Sequence, residues 1–154
     1  MSVLAGRADT LGPGMRISEF VKSLPGWPEL ERLLDSMDAP SDLKSVAYEA
    51  RPVLVAAHWL REPGKTLVVT STYERALQWQ AKLALCGVSE AQIAQLHSGI
   101  SALFEDASPE HVALSERLGA LKALIEDEPC IVIGTPQAAL ERTLPAEAFK
   151  EAFV

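Results

Sequence analysis

The chain has 154 residues, 48% of them hydrophobic, and a formal net charge of −7. That length makes one ordinary domain with a real core, and no apolar run reaches the roughly 18 residues that span a bilayer. The acidity and the lack of any Lys/Arg cluster exclude tight non-specific nucleic-acid binding, which works through phosphate neutralisation on a basic face.

Cys86 and Cys130 lie far apart in apolar runs. Two buried thiols in a reducing cytoplasm are the expectation, and with three scattered His they make no zinc site. Residues 1–14 are small, Gly-rich and aperiodic, and the first 16 lack the apolar core of a signal peptide.

The lead-in comes first. Residues 17–24 read as a short helix with Ser18 as cap, broken by Pro25-Gly26-Trp27-Pro28. Pro28 suits the first turn of a second helix over 29–37, whose Leu30, Leu33, Leu34 and Met37 recur at helical spacing. Trp27 staples its entry, and 38–42 is a linker. Residues 1–42 are therefore a loose terminus and helical lead-in, and 43–154 the main domain.

The main domain opens with a weak strand over 43–48. A helix follows over 51–61, with Val53, Leu54, Ala57 and Leu60 inward, and Glu62-Pro63-Gly64 stops it. A β-branched strand over 66–70 comes next. Ser71 and Glu74 have capping-box spacing for a helix over 72–86, with Leu77, Ala81 and Leu85 as its inward stripe and Trp79 to one side. Gly87 is expected in the left-handed conformation that ends helices.

A third strand is expected over 91–96 and a loop over 97–107. Ser108-Pro109-Glu110 opens the clearest amphipathic helix, with Leu114, Leu118, Leu121 and Ile125 on one stripe and Asp127-Glu128-Pro129 at its end. A buried-type strand over 130–133, a helix over 137–142 and a last short helix over 145–153 complete the series. The order is α, α, then β-α-β-α-β-α-β-α. Right-handed crossovers turn that into an open parallel α/β sheet with helices on both faces. Four strands are few for such a sheet, so the chain reads as incomplete at its C-terminus or as one part of a larger assembly.

Gly64-Lys65-Thr66 imitates the end of a phosphate loop. Such a loop needs another Gly with four residues between it and the GK pair, and that position is Trp59. It must also follow a strand and open a helix. Here it does the reverse, so it reads as a turn with a solvated lysine. The topological place for a phosphate loop is 47–52, where Glu49, Ala50 and Arg51 supply no Gly and no Lys. Glu49 would repel a triphosphate, and Arg51 is the one cation. No bound nucleotide, no other cofactor and no ATP hydrolysis are expected of this segment.

His58, His97 and His111 lack partner spacing, and the acidic runs Glu105-Asp106 and Glu126-Asp127-Glu128 read as solvated faces. No nucleophile elbow occurs. No catalytic residue and no metal ligand is expected.

Thr70-Ser71-Thr72-Tyr73-Glu74-Arg75 and the run to Gln80 resemble the loop and helix after the second strand of superfamily-two helicases. Ile131-Val132-Ile133-Gly134-Thr135-Pro136 resembles their later strand ending in Gly-Thr-Pro. The resemblance implies backbone contacts to DNA at Ser71, Thr72, Gly134 and Thr135. Helix capping by Ser71 and Thr135 is the plainer reading of the same hydroxyls.

The whole order over 43–149 resembles the amino-terminal, UvrB-like module of bacterial transcription-repair coupling factors. It joins a degenerate turn at 47–52, the strand and helix from Thr66, the helix with Ser115-Glu116-Arg117-Leu118 and Leu121, and an exit through Arg142, Leu144, Pro145 and Phe149. The lead-in from Ile17 to Leu34 looks like that family's start. Leu96-His97-Ser98-Gly99-Ile100 departs from the aromatic and Leu-Pro-Tyr run usual there.

The resemblance implies a degenerate RecA-like scaffold acting in nucleotide excision repair, within a cytoplasmic parent protein. That parent would use ATP to translocate on DNA, displace stalled RNA polymerase and recruit UvrA. The segment's partner would be the remainder of the parent, which meets UvrA and polymerase through other domains. DNA binding by the segment itself would be weak or absent. A piece of UvrB or of another superfamily-two helicase is the alternative, and a freestanding protein-interaction module is a third reading.

Overall fold

A computed structural model describes residues 19, 22–23, 26–35, 46–98 and 109–152. Among these, six helices and three strands alternate in the order α1 (Trp27–Asp35), α2 (Arg51–Arg61), β1 (Thr66–Val69), α3 (Tyr73–Leu85), β2 (Ile93–Leu96), α4 (Pro109–Ile125), β3 (Ile131–Gly134), α5 (Pro136–Leu140) and α6 (Ala146–Ala152). The fold is mixed α/β around a small parallel sheet.

The strand order is β1-β3-β2. Thr66 pairs with Ile131 and Val69 with Gly134 on one side, Ile93 with Ile131 and Leu96 with Gly134 on the other. All four residues of β3 are buried, as the continuous apolar run Ile131-Val132-Ile133 requires of a strand covered on both faces.

The chain steps over β3 from β1 to β2 through α3, then returns to β3 through α4. The two crossover helices lie on opposite faces. Ala56 and Trp59 of α2 and Ala76, Trp79 and Leu83 of α3 pack with Val68, Ile93, Ile131 and Ile133. Ala120 of α4 and Ala138 of α5 pack with Leu96, Cys130 and Val132. Each large side chain so buried contributes about 1.5–3 kcal/mol. On β1 only Val68 is fully covered, while Leu67 and Val69 stay half exposed.

The expected strand over 43–48 is not found in its described part. Residues 43–45 lie outside the described residues. Val46 and Ala47 have no regular structure, and Tyr48–Ala50 is a tight helical turn that runs straight into α2. Side-chain docking on α3 outweighs the weak strand propensity. The Tyr48 hydroxyl accepts from Trp79 Nε1 at 3.1 Å, and the Arg75 guanidinium sits 4.7 Å from the Tyr48 ring centroid.

The inward stripe of α3 is also corrected. Ala76, Trp79 and Leu83 are buried, whereas Leu77 and Leu85 are 43% and 74% exposed. Both stripes have helical spacing. The one carrying the indole wins because Trp buries the largest apolar area and finds a partner for its N–H.

On α4 the outcome is divided. Arg117 and Ala120 are buried, and Leu121 and Leu124 pack with Ala120 on the sheet, while Leu114 is 49% exposed. The leucine stripe therefore forms the helix's flank rather than its sheet-facing centre.

The remaining boundaries shift by a few residues. Trp27 lies inside the first turn of α1 and packs on Ala57, Val53 and Leu54. The side chains of Leu30, Leu33 and Leu34, with Met37, the linker and most of the helix expected over 17–24, lie outside the described residues. So do residues 99–108, which hold most of the expected loop. Gly87 takes φ +99°, with Gly87 N donating to Ala84 O at 3.0 Å and Val88 N to Leu83 O at 3.1 Å. That pair of bonds is a Schellman ending, and buried Val88 and Leu83 provide its apolar contact.

Among the described residues no helix is long and apolar enough to cross a membrane. Both cysteines are free and buried, and burial pushes both thiols up from their ordinary values, with the nearby Lys65 opposing it at Cys130.

Candidate site at the carboxyl rim of the sheet

In open parallel sheets, ligands bind beyond the carboxyl ends of the strands. That rim is formed here by Thr70 to Thr72 after β1, His97 and Ser98 after β2, and Gly134 and Thr135 where β3 ends. Thr70 N donates to Gly134 O at 2.9 Å, so the ladder itself brings the first and third of these segments together. Thr70 is buried, and its hydroxyl donates to Thr72 O at 3.0 Å.

Three of the four residues expected to touch DNA, Thr72, Gly134 and Thr135, have a local structural role. Thr72, not Ser71, is the N-cap of α3, its Oγ1 accepting from Arg75 N at 3.4 Å. Ser71 is exposed beside it. Glu74 turns back on its own amide and on the Thr72 hydroxyl, and these hydrogen bonds hold its carboxyl below the usual value of 4.5. Thr135 caps α5, accepting from Ala138 N at 3.3 Å. Gly134 is buried against β2, where an added Cβ would meet Leu96 Cβ at 3.0 Å and Leu96 O at 3.1 Å.

A cluster that the sequence does not announce occupies the rest of the rim. The His97 ring lies 4.6 Å from the Tyr73 ring at 51°. His97 Nε2 is 2.5 Å from Glu116 Oε2, a contact outside hydrogen-bond alignment. Burial, and then the Glu116 carboxylate, push the Tyr73 hydroxyl up from 10.0. Ser98 Oγ is buried without a hydrogen-bond partner.

Arg117 is buried next to this cluster. Its Nη1 donates to His97 O at 2.5 Å and Ala138 O at 3.3 Å, and pairs with Glu141 Oε2 at 3.1 Å. A guanidinium that spans two carbonyls and a carboxylate ties β2, α4 and α5 together. The sequence signal was a lone Arg inside a leucine-rich helix. His97 had none, because its acidic neighbour stands on another element.

The turn at 47–51, expected as the degenerate phosphate-loop position, is closed on itself. Ala50 N donates to Ala47 O at 2.9 Å, and the Arg51 amide bonds to Tyr48 O. The Glu49 carboxylate pairs with Lys82, and the Arg51 guanidinium lies 5.6 Å from the Tyr48 ring centroid.

The Gly-Lys-Thr turn has a structural role. Trp59 Nε1 donates to Gly64 O at 2.8 Å, and Lys65 Nζ donates to Leu124 O at 2.9 Å. Lys65 therefore caps the carboxyl end of α4 instead of being merely solvated, a placement that the helix dipole favours.

No family model, no curated protein and no solved structure matches the chain.

The rim's chemistry therefore rests on its residues alone. Among the described residues, no group of three His, Cys, Asp or Glu could hold a metal ion. The hydroxyls of Thr72 and Thr135 accept the capping bonds of α3 and α5, and Arg117 is neutralised by Glu141. The rim chiefly joins elements through Thr70, Thr72, Arg117 and Thr135, while His97 Nε2 and Ser98 Oγ are buried there without a hydrogen-bond partner.

Proposed function

We propose that the chain is a protein-docking scaffold on a degenerate RecA-like sheet, of the UvrB-like kind that opens transcription-repair coupling factors. In this reading it serves transcription-coupled nucleotide excision repair. ATP is used elsewhere in the parent translocase, and UvrA and RNA polymerase are met by other domains. One observation carries the proposal: at the expected phosphate-loop position the Ala50 and Arg51 amides bond to carbonyls of their own turn, and Glu49 places a carboxylate there that is held by Lys82. A phosphate loop does the opposite, with free amides facing the anion.

The test is a titration of the purified chain with a fluorescent ATP analogue and magnesium. No saturable binding at micromolar concentration is expected. Micromolar binding that Arg51→Ala abolishes would overturn the proposal.

A further inference from the structure

The flank of α4 beside its sheet-facing side opens onto a groove of 450 Å³, whose lining includes Leu114, Leu118 and Leu121 of α4 and Leu144 and Phe149 across from them. Phe149 is buried and forms the floor side, while Leu114 and Leu144 are 49% and 58% exposed at the lips. The three α4 leucines stand at i, i+4 and i+7, so they make a continuous ridge along the helix. A helix that is apolar beyond its sheet-facing side is normally covered on that second side too.

Charge selects the occupant. The groove holds two guanidinium groups, and their states differ. Arg117 is neutralised by Glu141 at 3.1 Å. Arg142 is exposed at the groove and forms no ion pair among the described residues, in a chain whose net charge is −7. The α4 wall offers side chains only, because its main-chain groups are bonded within the helix, so an extended strand finds no edge to pair with there.

We infer that this groove receives an amphipathic helix of a partner protein, with leucine-type residues at i, i+4 and i+7 and a carboxylate placed to meet Arg142. Apolar anchors in the groove supply the contact area and the Arg142 pair fixes the direction of the helix. The inference rests on the docking-scaffold reading and names the surface it would use.

The experiment uses the isotope-labelled chain and a set of synthetic helical peptides with that leucine spacing and one Glu, each matched by a peptide with Lys in its place. Saturable binding at micromolar concentration is expected, with amide shift changes confined to 114–121 and 142–149. Arg142→Glu should weaken the Glu peptide at least tenfold and restore binding of the Lys peptide. Leu144→Ser, on the exposed lip, should weaken both peptides without changing the chain's circular dichroism.

Absence of saturation up to millimolar peptide, shifts mapping elsewhere, or indifference to Arg142→Glu would each overturn the inference. So would a concentration-dependent dimer lost in Leu144→Ser, which makes a second copy the occupant, or displacement of the peptide by dodecanoate at equal concentration. The two proposals fail separately. Failed peptide binding without nucleotide binding removes the groove and leaves the scaffold, and micromolar nucleotide binding removes the scaffold reading whatever the peptide does.

Discussion

Trp79 and Tyr48 meet across 3.1 Å, indole N–H to phenol oxygen, and this bond fastens the turn before α2 to the middle of α3. Trp79 is 7% exposed and its neighbour Leu83 is fully buried. Trp79→Ala should cost about 3–5 kcal/mol. Tyr48→Phe removes only the acceptor and should cost about 1–3 kcal/mol, the penalty of an unpaired buried donor. Leu77→Ala, on the exposed stripe of the same helix, should stay within about 0.5 kcal/mol. Urea unfolding followed by tryptophan fluorescence checks all three. A larger loss for Leu77→Ala than for Trp79→Ala would reverse the assignment of the buried face.

The buried Arg117–Glu141 pair gives a second prediction. Arg117→Met takes the shared guanidinium from the Glu141 carboxylate and from two carbonyls, and should cost about 3–5 kcal/mol. Adding Glu141→Leu removes the carboxylate that faced the guanidinium and should recover part of that loss. Thermal unfolding of the two single variants and the double variant measures the coupling. Strict additivity would show that the pair does not act as a unit.

Gly134 is needed for contact rather than for backbone freedom. A Cβ there would press on the Leu96 main-chain oxygen, which cannot swing aside. Gly134→Ala should therefore cost about 1–3 kcal/mol by overpacking. Leu96→Ala in the same chain should not rescue it, because the Cβ and carbonyl contacts both persist. Full rescue in the double variant would locate the crowding in the side chain alone.

Glu74 gives a prediction in pH. Its carboxyl is held down by its own amide and by Thr72, so the folded chain releases this proton more readily than the unfolded one. The group therefore contributes stability above its unfolded value near 4.5, and that contribution is lost as pH falls through the lower folded value. A carboxyl-detected NMR titration should show Glu74 below the ordinary glutamate range, and Thr72→Ala should move it up. The same variant removes the α3 cap, at about 1 kcal/mol.

The long periodic helices and the β-branched strands were legible from the chain because their signals are local. Gly87, Pro109 and Pro136 marked helix ends where they fall. The capping residue of α3 was placed one position early, since Ser71 and Thr72 carry the same chemistry and only the Arg75 amide separates them. The buried face of α3 is ambiguous in the sequence because two stripes share one period, and the choice depends on Tyr48, distant in sequence. The rim cluster was illegible for the same kind of reason. His97, the adjacent Glu116 and Arg117, and Glu141 come from three separate stretches, and only the return of the chain through α4 assembles them. The expected strand over 43–48 rested on weak propensity, and tertiary docking of Tyr48 decided its described part.

The sheet also sets an order on the making of the protein. β1 and β2 never pair with each other; each pairs only with β3, which comes last of the three. On a ribosome that emits the chain from its N-terminus, no pairing among these three strands can form until Ile131–Gly134 has emerged. Until then Thr66–Val69 and Ile93–Leu96 wait as unpaired β-prone segments, held off from one another only by the helices between them. Closure is then a single late event in which the most buried strand enters between two that are already present. Every native sheet contact is long-range, which places the chain among slow folders for its size. The wait of two unpaired strands during synthesis is the cost of putting the last strand in the middle.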